Sequence, residues 1–159
     1  MVGMRPSAIA LSAAMMLLAM SITSVQAQQV RPETLIKWRQ SAYQVMSWST
    51  SRIRANVEGQ FNRDEVIKAA ILLNALANSG MSGLYPPGTE NGSGWHETNA
   101  RPEIFRNQAL VIERAGALGR EAGILLNLAN SADVAMIKAQ YAKVVQTCRN
   151  CHDDLKFRE

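Results

Sequence analysis

Apolar side chains recur at three- and four-residue intervals through most of the chain, the spacing of helices with one buried face. In the first stretch, about Pro32 to Ala55, the residues Leu35, Trp38, Ala42, Val45, Met46, Ser49 and Ile53 share one side. Pro32 suits a first helical turn, where its missing N–H is not needed. Asn62-Arg63-Asp64-Glu65 has the spacing of a capping box with Asn62 as the cap. It opens a second helix whose apolar face is Val66, Ala69, Ala70, Leu73, Leu76 and Ala77.

A long segment rich in Gly, Pro, Ser and Asn follows, Ser79 to Arg101. Pro102 then starts a third helix, with Phe105, Ala109, Ile112, Gly116, Gly119, Gly123 and Leu126 on one stripe. Ser131 is placed to cap a fourth, which carries Val134, Ile137, Tyr141, Val144 and Cys148. Short links within each pair and one long loop between the pairs predict an all-α, antiparallel four-helix bundle. Trp38 and Tyr141 are expected in its core. Three glycines inside the third helix each cost about 1 kcal/mol relative to Ala. They imply either close helix–helix contact or backbone that approaches a flat cofactor.

Met1 to Ala27 carries no such pattern and reads as a cleaved secretory signal peptide. Arg5 supplies the basic start, Ala8 to Met20 the apolar run, and Val25-Gln26-Ala27 the small-residue cleavage site before Gln28. The run is too short for a membrane span, so the mature chain, 28–159, is expected to be exported to the periplasm as one domain. Losing the leader leaves 16 basic against 13 acidic residues, mixed along the sequence. That suits a solvated surface and gives no nucleic-acid footprint.

The chain has two cysteines, Cys148 and Cys151, with His152 directly after them. Cys-x-x-Cys-His is the attachment signature of c-type haem. On a helix, cysteines three apart project to one side, where both sulfurs can add to the two vinyl groups of one haem. His152, four residues after Cys148, lies on nearly the same stripe and can meet the iron as its axial ligand. A thioredoxin-like pair would need a strand before the helix. A zinc site needs about four ligands, and beyond this cluster only His96 remains, read as a solvated loop histidine without a role. A structural disulfide leaves His152 unexplained.

The motif stands eight residues from the C-terminus, and that placement resembles the class II cytochromes, above all cytochrome c′. Arg39-Gln40-Ser41-Ala42-Tyr43 is similar to the family's first-helix segment. Pro87-Gly88-Thr89-Glu90 and Ala100-Arg101-Pro102-Glu103-Ile104-Phe105 resemble its loop and the start of its third helix. Phe105 stands where the family usually has Trp, an aromatic often found near Ser82 is missing, and Lys156 replaces a common Arg. The resemblance implies one covalent haem c per chain. It also implies Arg39 and Gln40 on the haem propionate side, Thr98 at the haem edge and a homodimer through the first two helices. Physically, a guanidinium fork matches a carboxylate.

Low-spin relatives in this class complete the iron with a Met four residues after the first-helix Arg. Here Tyr43 occupies that place. The resemblance therefore implies a five-coordinate, high-spin iron beneath a crowded distal face. Such a site takes nitric oxide or carbon monoxide, and electron transfer to an unidentified redox partner stays open. Oxygen is disfavoured in an apolar pocket without a donor, although the Tyr43 hydroxyl could supply one. The alternative is a low-spin electron carrier with Met46 as second ligand. A Tyr43 phenolate ligand would need its pKa lowered from ~10. Enzymatic peroxide chemistry wants a distal acid–base group, and the Arg39–Met46 face carries no His or carboxylate. Lys156, four residues after His152, could tune its basicity.

Overall fold

The computed structural model describes residues 30–157, and the expected leader lies outside them. Helix α1 runs Pro32–Glu58 and α2 Arg63–Ala77. A single 3₁₀ turn, Met81–Leu84, interrupts the long loop. A one-turn α3, Glu103–Arg106, precedes α4, Gln108–Ser131, and α5, Val134–Leu155. Among the described residues the only β pairings are two isolated bridges, Ser93 with Glu97 and Ala100 with Lys156. The four long helices pack as α1 on α2, α2 on α4, α4 on α5 and α5 back on α1. This is the predicted antiparallel four-helix bundle.

Asn62 caps α2 as its spacing foretells, accepting from the Glu65 amide at 3.2 Å. The apolar face of α2 sits in the main core beside Ile53, Val57, Leu125, Ile137 and Val144. Each such side chain, fully buried, contributes about 1.5–3 kcal/mol, and Met81 of the loop packs against the same core.

Three expectations fail locally. The inward face of α1 carries Ile36, Arg39, Met46, Ser49, Ile53 and Val57, while Trp38 is 50 % exposed. A buried arginine in that face is invisible to a pattern that counts only apolar residues. The third helix is broken at Asn107, whose backbone leaves helical geometry and whose side chain accepts from the Leu110 amide at 3.1 Å. Val111, Gly119, Ala122, Leu125 and Ala129 are buried, so Gly119 keeps its expected place while Ile112 faces solvent. Finally, Asp133 caps α5, accepting from the Met136 amide at 2.8 Å, while Ser131 is the last residue of α4. Asp133 has the extended backbone a cap requires.

Two of the three glycines of α4 sit at close contact with α2 and its cap, while a Cβ on Gly116 would meet only Arg120 of the same helix. A Cβ on Gly119 would meet Asn78 Oδ1 at 2.6 Å, and one on Gly123 would meet Asn74 Oδ1 at 3.5 Å. As α4 advances from 119 to 123 its neighbour on α2 steps back from 78 to 74, the mark of antiparallel packing. Tyr141 lies partly buried against the main core.

Candidate haem-attachment site

The last turns of α5 carry Cys148, Cys151 and His152, and the helix continues to Leu155. Both thiols are partly buried, and His152 still reaches solvent. The end of the helix is tied to the long loop by backbone bonds, Arg101 N to Leu155 O at 2.9 Å and Phe157 N to Asn99 O at 2.8 Å. It is tied to α4 by the Arg114 Nε–Asp154 Oδ2 pair at 2.8 Å. Leu155 closes a second, smaller core with Ile104 and Val111, against which Tyr85, Phe105 and Cys151 pack. The turn that bears the motif is thus held from two sides by residues distant in sequence.

Burial pushes both thiols above their ordinary range; the Cys148 thiol adds to the rise at Cys151, and Arg114 opposes it. Neither is a primed thiolate, which speaks against a thiol-redox pair. Burial also lowers His152, with Lys156 adding to the effect and Asp153 opposing it. The predicted influence of Lys156 on His152 is therefore electrostatic, and the neutral imidazole it favours is the form that ligates metals.

Across from this turn, α1 presents Arg39, Gln40, Tyr43 and Met46. Arg39 is 3 % exposed and gathers the loop around itself. Its guanidinium donates to Leu84 O at 3.3 Å, Thr89 Oγ1 at 3.0 Å, Thr89 O at 2.8 Å and Thr98 Oγ1 at 2.8 Å. Gln40 accepts from the Trp95 amide at 2.7 Å and donates to His96 O at 2.9 Å. Arg39, Gln40 and Thr98 therefore share one arrangement, which fastens the loop to α1. His96 is exposed and serves that same fastening through its carbonyl.

Tyr43 is 38 % exposed and its hydroxyl shares a hydrogen bond with Tyr85 Oη at 3.3 Å. Burial around the phenol raises Tyr43 well above its ordinary value, with Tyr85 and Cys151 adding to the rise and Arg39 opposing it. That direction is the reverse of what phenolate ligation needs. The Cys151 thiol is an electrostatic neighbour of both phenols, which sets the tyrosine pair beside the motif. Met46 is 7 % exposed within the main core, among Ile53, Val66 and Leu73.

Tyr85 belongs to no motif in the sequence; its signal is an aromatic in a Gly- and Pro-rich loop, three residues beyond Ser82. Its ring clusters with Arg39, 4.6 Å from the guanidinium carbon, and with Phe105, 6.0 Å centroid to centroid, and that guanidinium is also 6.0 Å from the Phe105 ring.

Two tests ask whether these residues suit a haem. The donor set is right: two cysteines on one helical face with a neutral imidazole beside them. The charge is right as well. Arg39 is a buried cation with no carboxylate within ion-pair distance among the described residues. Such a charge is costly without an anion, and a haem propionate is one.

Residues 34–158 match the sequence profile of the family described as Cytochrome C′. The chain belongs to the cytochrome c′ family. Its cofactor is accordingly haem c, covalently bound, one per chain. The cytochrome c′ of Rhodocyclus tenuis is 47 % identical over 133 residues, covering 83 % of this chain and all of the relative. The crystal structure of cytochrome c′ from Thermochromatium tepidum superposes with a TM-score of 0.77 at 38 % identity, covering 81 % of this chain and 98 % of that one. A second cytochrome c′, described as having an unusual ligand-controlled dimer dissociation, gives 0.78 at 34 % identity over the same shares. Variants of the Alcaligenes xylosoxidans cytochrome c′ have been solved with bound NO and with bound carbon monoxide, at a TM-score of 0.72 and 27 % identity, covering 81–82 % of this chain and 98 % of theirs.

Proposed function

We propose that this member of the cytochrome c′ family is a periplasmic haem protein with a five-coordinate, high-spin iron that binds nitric oxide or carbon monoxide and can also pass electrons. Cys148 and Cys151 carry the thioether links and His152 is the axial ligand. When bound, the haem supplies a redox-active iron with a position for a small ligand. Arg39 offers its buried charge to a propionate, and Gln40 and Thr98 hold the loop that keeps it there.

The observation that carries the reading is the distal face of α1. Tyr43 is the residue there that stands beside the motif, and its raised pKa keeps it a neutral phenol, a poor ligand. Met46 is 7 % exposed and engaged in the main core, which disfavours the six-coordinate alternative. The NO- and CO-bound relatives support gas binding by the same fold. The absence of a His or carboxylate at the Arg39–Met46 positions supports a binding role over an enzymatic one.

Trp38, Trp48 and Ile71, each at least half exposed on α1 and α2, support a homodimer through these helices. The relative with ligand-controlled dissociation makes a gas-linked change in assembly part of the same proposal. No helix among the described residues is long and apolar enough to cross a membrane, and export rests on the leader.

Optical spectra of the purified protein, ferric and ferrous, with and without carbon monoxide, test the reading. High-spin bands that shift with the gas are expected. Sharp low-spin bands unmoved by it would overturn the open site.

A further inference from the structure

The Tyr85 and Tyr43 hydroxyls stand 3.3 Å apart and share one hydrogen bond, and either phenol can supply its proton. Tyr85 is the more firmly packed of the two. Its ring lies against the Arg39 guanidinium at 4.6 Å and Phe105 at 6.0 Å, and it packs against the Ile104–Val111–Leu155 core. Arg39 in turn is fixed by four bonds to the loop. Tyr43, by contrast, is 38 % exposed, and its hydroxyl meets Tyr85.

We propose that Tyr85 is a positioning residue: its hydroxyl latches Tyr43 over the ligand position, so the latch sets how fast a diatomic gas enters. This rests on the open-site reading above. Entry requires Tyr43 to move aside, and moving it breaks the Tyr85 bond. A net hydrogen bond of this kind slows a step by a factor of about 2 to 10. At 3.3 Å, longer than the usual hydroxyl pair, the lower part of that range applies.

The test is carbon monoxide association to the ferrous holoprotein by stopped flow, in a double-mutant cycle. Tyr85→Phe keeps the ring against Arg39 and Phe105 and removes only the hydroxyl. It is expected to raise the association rate about two- to five-fold. Tyr43→Phe removes the other hydroxyl, and in that background Tyr85→Phe should change the rate by less than about 1.5-fold, since no bond is left to lose. A Tyr85→Phe effect of equal size in both backgrounds would mean that the hydroxyl acts through packing, and would overturn the latch. No effect on the unaltered background would overturn it too. A parent protein whose ferrous spectrum ignores carbon monoxide would overturn the open site and the latch together, so the two failures are told apart by the parent alone. Unchanged helical circular dichroism in each variant confirms that the bundle is intact.

Discussion

Removing Arg39 should loosen the protein about as much as truncating a buried apolar residue of the same helix. Arg39→Leu deletes four donated bonds, three of them at 2.8–3.0 Å. What matters is which acceptors are left without partners. Thr89 is 1 % exposed, and its carbonyl oxygen would be stranded, while its hydroxyl still donates to Pro86 O at 2.9 Å. Thr98 Oγ1 keeps only a long contact with the Ala100 amide at 3.3 Å. Each stranded buried acceptor costs about 1–3 kcal/mol. The leucine removes a guanidinium whose burial was itself unfavourable, which trims the total. The expected loss is about 2–4 kcal/mol, or roughly 7 to 14 °C in the thermal midpoint for a chain of this size. Arg39→Lys keeps the charge but cannot reach acceptors on both sides of a fork, so it should fall between the two. Urea unfolding of the holoprotein followed at 222 nm gives the comparison. A loss below about 0.5 kcal/mol for Arg39→Leu, or a lysine variant as stable as the parent, would refute the claim that this residue fastens the loop.

Met46→Ala should leave the optical spectrum unchanged while destabilising the fold by about 2–4 kcal/mol, because Met46 fills the main core; a change of spin state would instead make it a ligand. Gly94→Ala would put a Cβ 2.6 Å from the Lys37 backbone, where helix atoms cannot yield. The loop should lift from α1 at a cost of about 1–3 kcal/mol, seen as faster amide exchange over 92–98. Tyr43 titrates above its ordinary value in the folded state, through burial first and Tyr85 next. Its contribution to stability is complete below about pH 10 and is lost as pH rises through the folded value. Tyr43→Phe should therefore show a shallower fall of the thermal midpoint above pH 10 than the parent. Parallel falls would show that Tyr43 takes no part in alkaline unfolding.

How much could be read before the fold was known follows the range of the interactions concerned. Cys148, Cys151 and His152 were legible because one helical turn brings them together, whatever the rest of the chain does. The Asn62 cap and the apolar face of α2 were legible for the same reason, since caps and periodicity act within four residues. The register of α1 was misjudged at Trp38 and that of α4 at Ile112, because each helix was phased by counting apolar residues. In α1 the face that turned inward includes a buried arginine, and in α4 a local break at Asn107 shifted the start. Ser131 and Asp133 are both competent caps, and only the backbone decides between them.

The sequence alone therefore determined the helices, the haem motif and, through the spacing of its segments, the bundle that displays it. The tertiary structure decided what stands opposite the motif. Arg39 meets partners 45 to 59 residues away, and Tyr43 meets Tyr85 42 residues away. Those contacts depend on how a loop folds back over a helix, and no local spacing encodes that path.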